Sequence, residues 1–305
     1  MDSGATSDHK SPPVILSRHP GPIPSPPANP KSEMDRLRNV AKEEGNVANN
    51  VLMLYGTERA VARIAQSQIA DRAVLKGGFL LRQILPPGVR RTTLDADFSI
   101  NSRSRDATVA EIIHAIAQPH QDDQVIFNPN SFTFSDIQGD IGIRIKFKGA
   151  LGDGQIASMI DISLTTSSTP GQEARSIIPT LRHASPFSVQ AYPTELVAAE
   201  KYQTILARNT DNTRMKDYYD LAALTHLGLC SPKSVRDALK MTCEVRGTPW
   251  VSTRPTALTT TFSRDLNNVT AWKRMETKGL SMKQMSLEMA CDYIWDFFTG
   301  VVAEK

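Results

Sequence analysis

The residues of this 305-residue chain whose types and spacing best suit chemistry are Asp95 and Asp97, separated by one alanine in the stretch TLDADFSI. Side chains at positions i and i+2 of a strand point the same way, so the two carboxylates are expected to lie together. Like charges that close repel each other unless a cation lies between them. One interpretation is therefore a Mg²⁺ site that also binds substrate phosphates. The other is a solvated strand edge on which two aspartates alternate.

A third acid and a glycine pair lie in segments that could join this site. The stretch QIASMIDISL, residues 155–164, alternates as a strand whose isoleucines face the core while Asp161 faces the other way. If this strand lies beside the first, three carboxylates converge, which suits two metal ions and in-line phosphoryl transfer. Gly77 and Gly78, between the strand AVLK and the helix FLLRQIL, would let the backbone approach a phosphate at the start of that helix.

Two helices of the second half carry basic residues at spacings that suit phosphate binding. A helix with Thr194 as its N-cap and Arg208 near its end places Lys201 and Arg208 two turns apart on one face. That face either binds a triphosphate or is solvated and paired with neighbouring acids. In the next helix, Lys216 and Asp220 have the i, i+4 spacing of a surface ion pair.

A basic stripe is expected on a further strand. In DIGIRIKFKG, residues 140–149, apolar residues alternate with Arg144, Lys146 and Lys148, so one face packs and the other is positive. This positive face is either a solvated surface or the contact surface for a polyanion.

The composition is that of a soluble globular protein. Hydrophobic residues make up 40% and charged residues 22%, and a net charge of +3 permits an anionic partner without requiring one. Cys230, Cys243 and Cys291 lack the spacing of a zinc site or a disulfide framework. Because there is no apolar run of membrane length and no signal peptide, we expect a cytoplasmic protein without membrane association.

The pattern of elements predicts an α+β fold, with a small mixed sheet flanked by helices and followed by a helical C-terminal region. Residues 1–33 contain 8 of the 19 prolines and few large apolar groups, which predicts a disordered tail. We expect the sheet-containing core in residues 34–192 and a helical region in residues 193–305 that completes the active-site cleft. Helical spacing after Val47 is expected to break near Gly56.

Several motifs in order resemble one enzyme family. LKGGFLLR followed by RTTLDADF resembles the AbiEii/AbiGii toxin family of nucleotidyltransferases, whose fold belongs to the DNA polymerase β-like superfamily. The stretch AYPTELVAAEKYQTILARNTDNTRMKDYYDLAAL, residues 191–224, is similar to the later motifs of that family, a lysine with an arginine seven residues on and then a Lys-Asp pair with a further aspartate. The resemblance spans about residues 72–226. The chain departs from the family pattern at Phe79, where a small hydroxyl residue is more usual.

The resemblance implies Mg²⁺-dependent transfer of a nucleotidyl group from an NTP to a hydroxyl acceptor, which would be a tRNA 3′ end, another RNA or a protein. It also implies a toxin with an AbiEi-like antitoxin as partner. The implied metal ligands are Asp95, Asp97 and Asp161, and the implied NTP contacts are Gly77, Gly78, Thr93, Lys201 and Lys216.

Two further roles and two other functions stay open. We expect Asp161 to act as the third acid and to help deprotonate the acceptor. The resemblance assigns Asp217 to completing the active site, although Asp217 could instead cap its helix. One alternative function is a nucleotidyltransferase for small molecules such as aminoglycosides. The other is a catalytically silent binding module that uses the basic stripe.

Overall fold

The structure, a computed structural model, describes residues 29–120, 123–137, 142–277 and 285–303. Within these residues, eight strands form one mixed sheet flanked by helices, which confirms the predicted α+β class. The strands are β1 (Ala73–Lys76), β2 (Asp95–Asn101), β3 (Ile126–Phe127), β4 (Thr133–Asp136), β5 (Gly142–Leu151), β6 (Gly154–Thr165), β7 (Glu173–Ile177) and β8 (Phe187–Ala191). The helices are α1 (Pro30–Glu43), α2 (Ala48–Ala65), α3 (Gly77–Ile84), α4 (Arg105–Ala117), α5 (Thr194–Arg208), α6 (Met215–His226), α7 (Pro232–Arg246), α8 (Thr260–Ser263), α9 (Leu266–Thr277) and α10 (Leu287–Val302).

The strand order places β2 and β6 at the centre of the sheet. The order is β3–β5–β6–β2–β1–β8–β7, and β4 also pairs with β5. β2 runs parallel to β6 and antiparallel to β1, while β5 runs antiparallel to β6. A residue of β2 therefore has neighbours from β1 and β6 on its own face of the sheet.

Strict alternation on the strands gives the sheet one apolar face. On β5, Ile143, Ile145 and Phe147 are buried while Lys146 and Lys148 are exposed, which confirms the predicted two-faced strand. Ile141, expected on the same apolar face, lies outside the described residues. Leu94 continues the apolar alternation of Ala96 and Phe98 in the sequence, but it is exposed because β2 begins only at the next residue.

Helix α2 covers the apolar face. The predicted break near Gly56 is wrong, because α2 continues without interruption from Ala48 to Ala65. A side-chain carbon added to Gly56 would lie 2.3 Å from Cγ2 of Ile156 on β6. Glycine is therefore needed here because the helix backbone lies directly against the sheet.

The helices of the C-terminal half pack against one another. Helix α10 lies against α6 and α7, and the ring of its Phe298 stacks on Tyr202 of α5 at 3.7 Å. Replacing such a buried ring by alanine costs about 3–5 kcal/mol. Helix α5 begins at Thr194 with Pro193 in the cap position, so the predicted cap at Thr194 is wrong by one residue.

The N-terminal prediction falls largely outside the described part of the chain. The expected disordered tail covers residues 1–33, of which residues 1–28 are not described. Helix α1 begins at Pro30, with the Asn29 side chain accepting a hydrogen bond from the Lys31 amide, so helical structure begins earlier than the expected Met34. None of the helices in the described residues is both long and apolar enough to span a bilayer.

Candidate active site

The three predicted acids meet at the centre of the sheet. Asp97 on β2 lies directly opposite Asp161 on β6, so the condition under which the three acids converge is met. Asp95 lies on the same face as Asp97, two residues away along β2. Because paired strands are about 4.8 Å apart, the three carboxylates form one patch, which we call the open acid cluster.

The open acid cluster is short of positive charge. Burial has the largest effect on the pKa of Asp97, and the charges of Asp95 and Asp161 raise it further. The charges of Lys76 and Lys201 offset only part of this increase, so the pKa of Asp97 is about 7. A carboxyl group whose pKa is raised by neighbouring carboxylates is typical of sites that bind a cation or hold a proton.

Two members of the cluster have fixed hydrogen-bond partners. Thr93 donates from Oγ1 to Oδ1 of Asp95 at 2.7 Å. Arg144, opposite Asp161 on β5, donates from Nε to Oδ1 at 2.8 Å and from Nη2 to Oδ2 at 2.6 Å. The arginine thus holds both oxygens of Asp161.

The donor set fits a magnesium ion at two of the three acids. Mg²⁺ is usually held by one or two carboxylates together with substrate phosphates and water, and Asp95 and Asp97 supply such a pair. In the side-chain arrangement of the described residues, no three acid, histidine or cysteine groups converge closely enough to enclose a metal ion. The bidentate contact of Asp161 with Arg144 accounts for this, because that carboxylate faces its guanidinium.

The glycine pair is required by the side chains that surround it. Gly77 has a φ of 68°, and a side-chain carbon there would lie 2.0 Å from Oδ2 of Asp97. A side-chain carbon on Gly78 would lie 2.5 Å from Nη2 of Arg91 and 3.1 Å from Oγ1 of Thr93. The turn therefore lies against the acid cluster, and the first N–H groups of α3 begin beside it. Its role in phosphate binding remains a prediction.

Lys201 is not on an open helix face. Only 9% of its surface is exposed, and its Nζ lies 2.7 Å from Oδ1 of Asp217 and 2.9 Å from Oδ2 of Asp220. Arg208, predicted to share its face, is exposed at the end of α5. Packing of α6 against α5 covers Lys201 and leaves Arg208 in solvent.

Lys216 and Asp220 do not form the ion pair that their spacing allowed. Asp220 is fully buried and accepts from Arg91 Nε at 2.7 Å and Arg91 Nη2 at 2.8 Å, while Lys216 is exposed. Arg91 precedes β2 and Asp220 lies on α6, so this contact joins the sheet to the helical half. The sequence motif contained Arg91, but no spacing rule connects it with an acid 129 residues away.

Asp217 completes a group of two carboxylates and three cations. Its Oδ1 accepts from Lys201, and its Oδ2 accepts from Arg214 Nε at 2.7 Å. Burial alone would raise the pKa of Asp217, but the two cations lower it to about 2. Burial likewise opposes the charge of Lys201, yet the adjacent carboxylates raise its pKa. We call Arg91, Lys201, Arg214, Asp217 and Asp220 the closed charge cluster.

Sequence reasoning missed one further cation beside the acids. Lys76 lies on β1 directly opposite Asp97, with its Nζ 3.6 Å from Oε2 of Glu200 and 5.4 Å from the ring centre of Tyr192. Its position immediately before the glycine pair could have predicted this contact, because a turn that brings Gly77 against Asp97 also brings Lys76 close to that carboxylate.

A mixed sheet that presents three aspartates from two central parallel strands, beside a glycine turn, is the arrangement of a nucleotidyltransferase. The model of the nucleotidyl transferase AbiEii toxin family of type IV toxin–antitoxin systems matches residues 59–297, and the chain belongs to this family.

Two solved structures from Helicobacter pylori are similar to this one. The structure of JHP933 has 15% sequence identity and a TM-score of 0.47, with 79% of this chain and 87% of that chain covered. The second structure, of a protein provisionally described as a nucleotidyltransferase, has 14% identity and a TM-score of 0.46, with 79% and 89% covered. No curated protein matches the sequence.

Proposed function

We propose that this AbiEii-family enzyme transfers a nucleotidyl group from an NTP to a hydroxyl of RNA, with the tRNA 3′ end as the preferred acceptor, and that it depends on Mg²⁺. The observation that carries the proposal is the register of β2 against β6, which places Asp161 opposite Asp97 and beside Asp95. Three carboxylates on one patch suit the charge distribution of phosphoryl transfer.

Asp95 and Asp97 would hold the metal ion, with Thr93 fixing the orientation of Asp95 through its hydroxyl. When bound, Mg²⁺ neutralises charge on the phosphates and orients them. Asp161 would add to this ligand set only through oxygen lone pairs that Arg144 does not use, because both of its oxygens accept hydrogen bonds from that arginine.

The NTP phosphates would lie between the glycine turn and α5. The first N–H groups of α3, at Gly77 and Gly78, have no partner within the helix and suit an anion. Lys201 uses two of its three donors on Asp217 and Asp220, which leaves one for a phosphate oxygen. Lys216, exposed in the first turn of α6, is the second proposed phosphate contact.

In the reaction, the acceptor hydroxyl oxygen bonds to the α-phosphorus while the bond to the β-phosphate oxygen breaks and pyrophosphate leaves. Asp161 takes the proton of the hydroxyl, because it is the acid nearest the basic stripe on β5. The stripe of Arg144, Lys146 and Lys148 supplies the positive charge that an RNA backbone needs.

The test is incorporation of label from each of four α-phosphate-labelled NTPs into purified tRNA, with Mg²⁺ or with EDTA. We expect one NTP to be incorporated only with the metal, and the Asp95→Asn variant to be inactive. Equal incorporation with EDTA would remove the metal role. Incorporation into a small hydroxyl compound but into no RNA would make the acceptor assignment wrong.

The proposed biological role is that of a cytoplasmic toxin with an AbiEi-like antitoxin as its partner, which the family assignment supports. Expression of the chain should stop bacterial growth, and co-expression of the neighbouring gene should restore it. Asp95→Asn is the matched control because it changes one atom type at the metal site. Growth arrest by this variant would show that toxicity does not come from nucleotidyl transfer.

A further inference from the structure

Arg144 differs from the other two members of the basic stripe. Lys146 and Lys148 are exposed and form no ion pair with any described residue, whereas Arg144 is bound to Asp161 by two hydrogen bonds. The side chain of Arg144 is 35% exposed. The stripe therefore combines two solvent-exposed ammonium groups with one guanidinium that is hydrogen-bonded to the acid cluster.

The hydrogen bonds of Arg144 leave one edge of its guanidinium available. Nε and Nη2 donate to Asp161, while Nη1 has no partner among the described residues and is not buried. A guanidinium is planar and rigid, and its edges suit two-oxygen acceptors such as carboxylate and phosphate. Asp161 thus fixes the plane of Arg144 and directs Nη1 away from the carboxylate. An anion bound at Nη1 would lie one guanidinium width from Asp161.

We infer that Arg144 binds the phosphodiester that precedes the acceptor hydroxyl, so that the enzyme recognises the end of a nucleic acid chain and not a free nucleoside. This inference rests on the proposed function. The phosphodiester keeps both of its ester bonds. Its oxygens accept hydrogen bonds from Nη1 in place of hydrogen bonds from water. Asp161 takes the proton of the neighbouring 3′ hydroxyl as that oxygen bonds to the α-phosphorus and pyrophosphate leaves. Arg144 is therefore a positioning residue that places the acceptor against its base.

The test crosses an enzyme variant with a substrate variant. The two acceptors are one short RNA with an ordinary last linkage and the same RNA with a neutral methylphosphonate at that linkage. The enzymes are the wild type, Arg144→Gln, and Lys146→Gln as the matched control on the same face of β5. Labelled NTP incorporation gives kcat and KM, and NTP binding without RNA and thermal melting check that each variant is folded.

We expect the methylphosphonate to lower kcat/KM of the wild type about tenfold to a hundredfold, as for loss of a charge-assisted hydrogen bond. Arg144→Gln should show a similar loss with the ordinary RNA and almost no further loss with the methylphosphonate. Lys146→Gln should lower incorporation into both RNAs by the same factor. NTP binding should be unchanged in both variants.

Three results would overturn the inference in different ways. If the methylphosphonate penalty is the same in the wild type and in Arg144→Gln, another residue binds the last phosphodiester, while the proposed function stands. If the wild type incorporates label into neither RNA, the RNA acceptor is wrong and the role of Arg144 falls with it. A nucleoside acceptor used as efficiently by the wild type as the ordinary RNA would also overturn the inference.

Discussion

The open acid cluster and the closed charge cluster lie in the same molecule but differ in charge balance. In the closed cluster, three cations surround Asp217 and Asp220, and the pKa of each of these acids is lowered. In the open cluster, three acids have one bound guanidinium, and the pKa of Asp97 is raised. Buried charges that are fully paired hold elements together, whereas unbalanced charges mark the place where a ligand supplies the missing sign.

The largest expected effect comes from removing one charge of the open cluster. Asp95→Asn keeps the size of the side chain but removes a metal ligand, so nucleotidyl transfer should fall by about a thousandfold or more. The fold should persist, because the substitution relieves repulsion among the three acids. Radiolabel incorporation and thermal melting measure the two quantities separately. Loss of folding together with activity would mean that this cluster is structural after all.

The matching change in the closed cluster should act on stability. Lys201→Ala removes the cation that Asp217 and Asp220 share. Each acid keeps one arginine, so the loss is that of charge-assisted hydrogen bonds and is expected to be about 2–3 kcal/mol. The sequence alone favoured an exposed lysine, for which the change would be small. Urea unfolding measures the loss, with Lys216→Ala as the exposed control on α6, expected within about 0.5 kcal/mol of the wild type. Equal stability of the two variants would contradict the closed cluster.

The closed cluster also predicts the acid sensitivity of the fold. Asp217 has a folded-state pKa of about 2, compared with about 3.9 in an unfolded chain. The stability that ionised Asp217 adds to the folded state is therefore complete above about pH 4 and is lost as the pH falls towards 2. The linked free energy is roughly 2 kcal/mol. Unfolding of Asp217→Asn should depend less on pH in this window than unfolding of the wild type, while the exposed control Asp211→Asn should behave as the wild type does.

The smallest effect is expected at the exposed part of the basic stripe. Changing Lys146 and Lys148 together to glutamine should leave the melting temperature unchanged, because both side chains are solvated. If they contact RNA phosphates, the salt slope of RNA binding should decrease by about 0.7 for each charge removed from a single-strand complex. Fluorescence anisotropy across a salt series measures the slope. An unchanged slope would place the RNA elsewhere on the molecule.

The acid cluster was predictable from the sequence because its geometry is mostly local. Alternation along β2 and β6 sets which side chains share a face, and a strand repeats every two residues whatever surrounds it. The same rule predicted the two faces of β5. Only the pairing of β2 with β6 had to be assumed.

The closed charge cluster was decided by the tertiary structure. Spacing along α6 allowed a pair between Lys216 and Asp220, but Asp220 binds Arg91 and Lys201 instead. Helical spacing shows which residues are near each other on one helix and not which face another element covers. Here the packing of α5 and α6 against the segment before β2 buried Asp220 and left Lys216 in solvent. Charges removed from water must find partners wherever the chain brings them, and in this protein those partners lie up to 129 residues away.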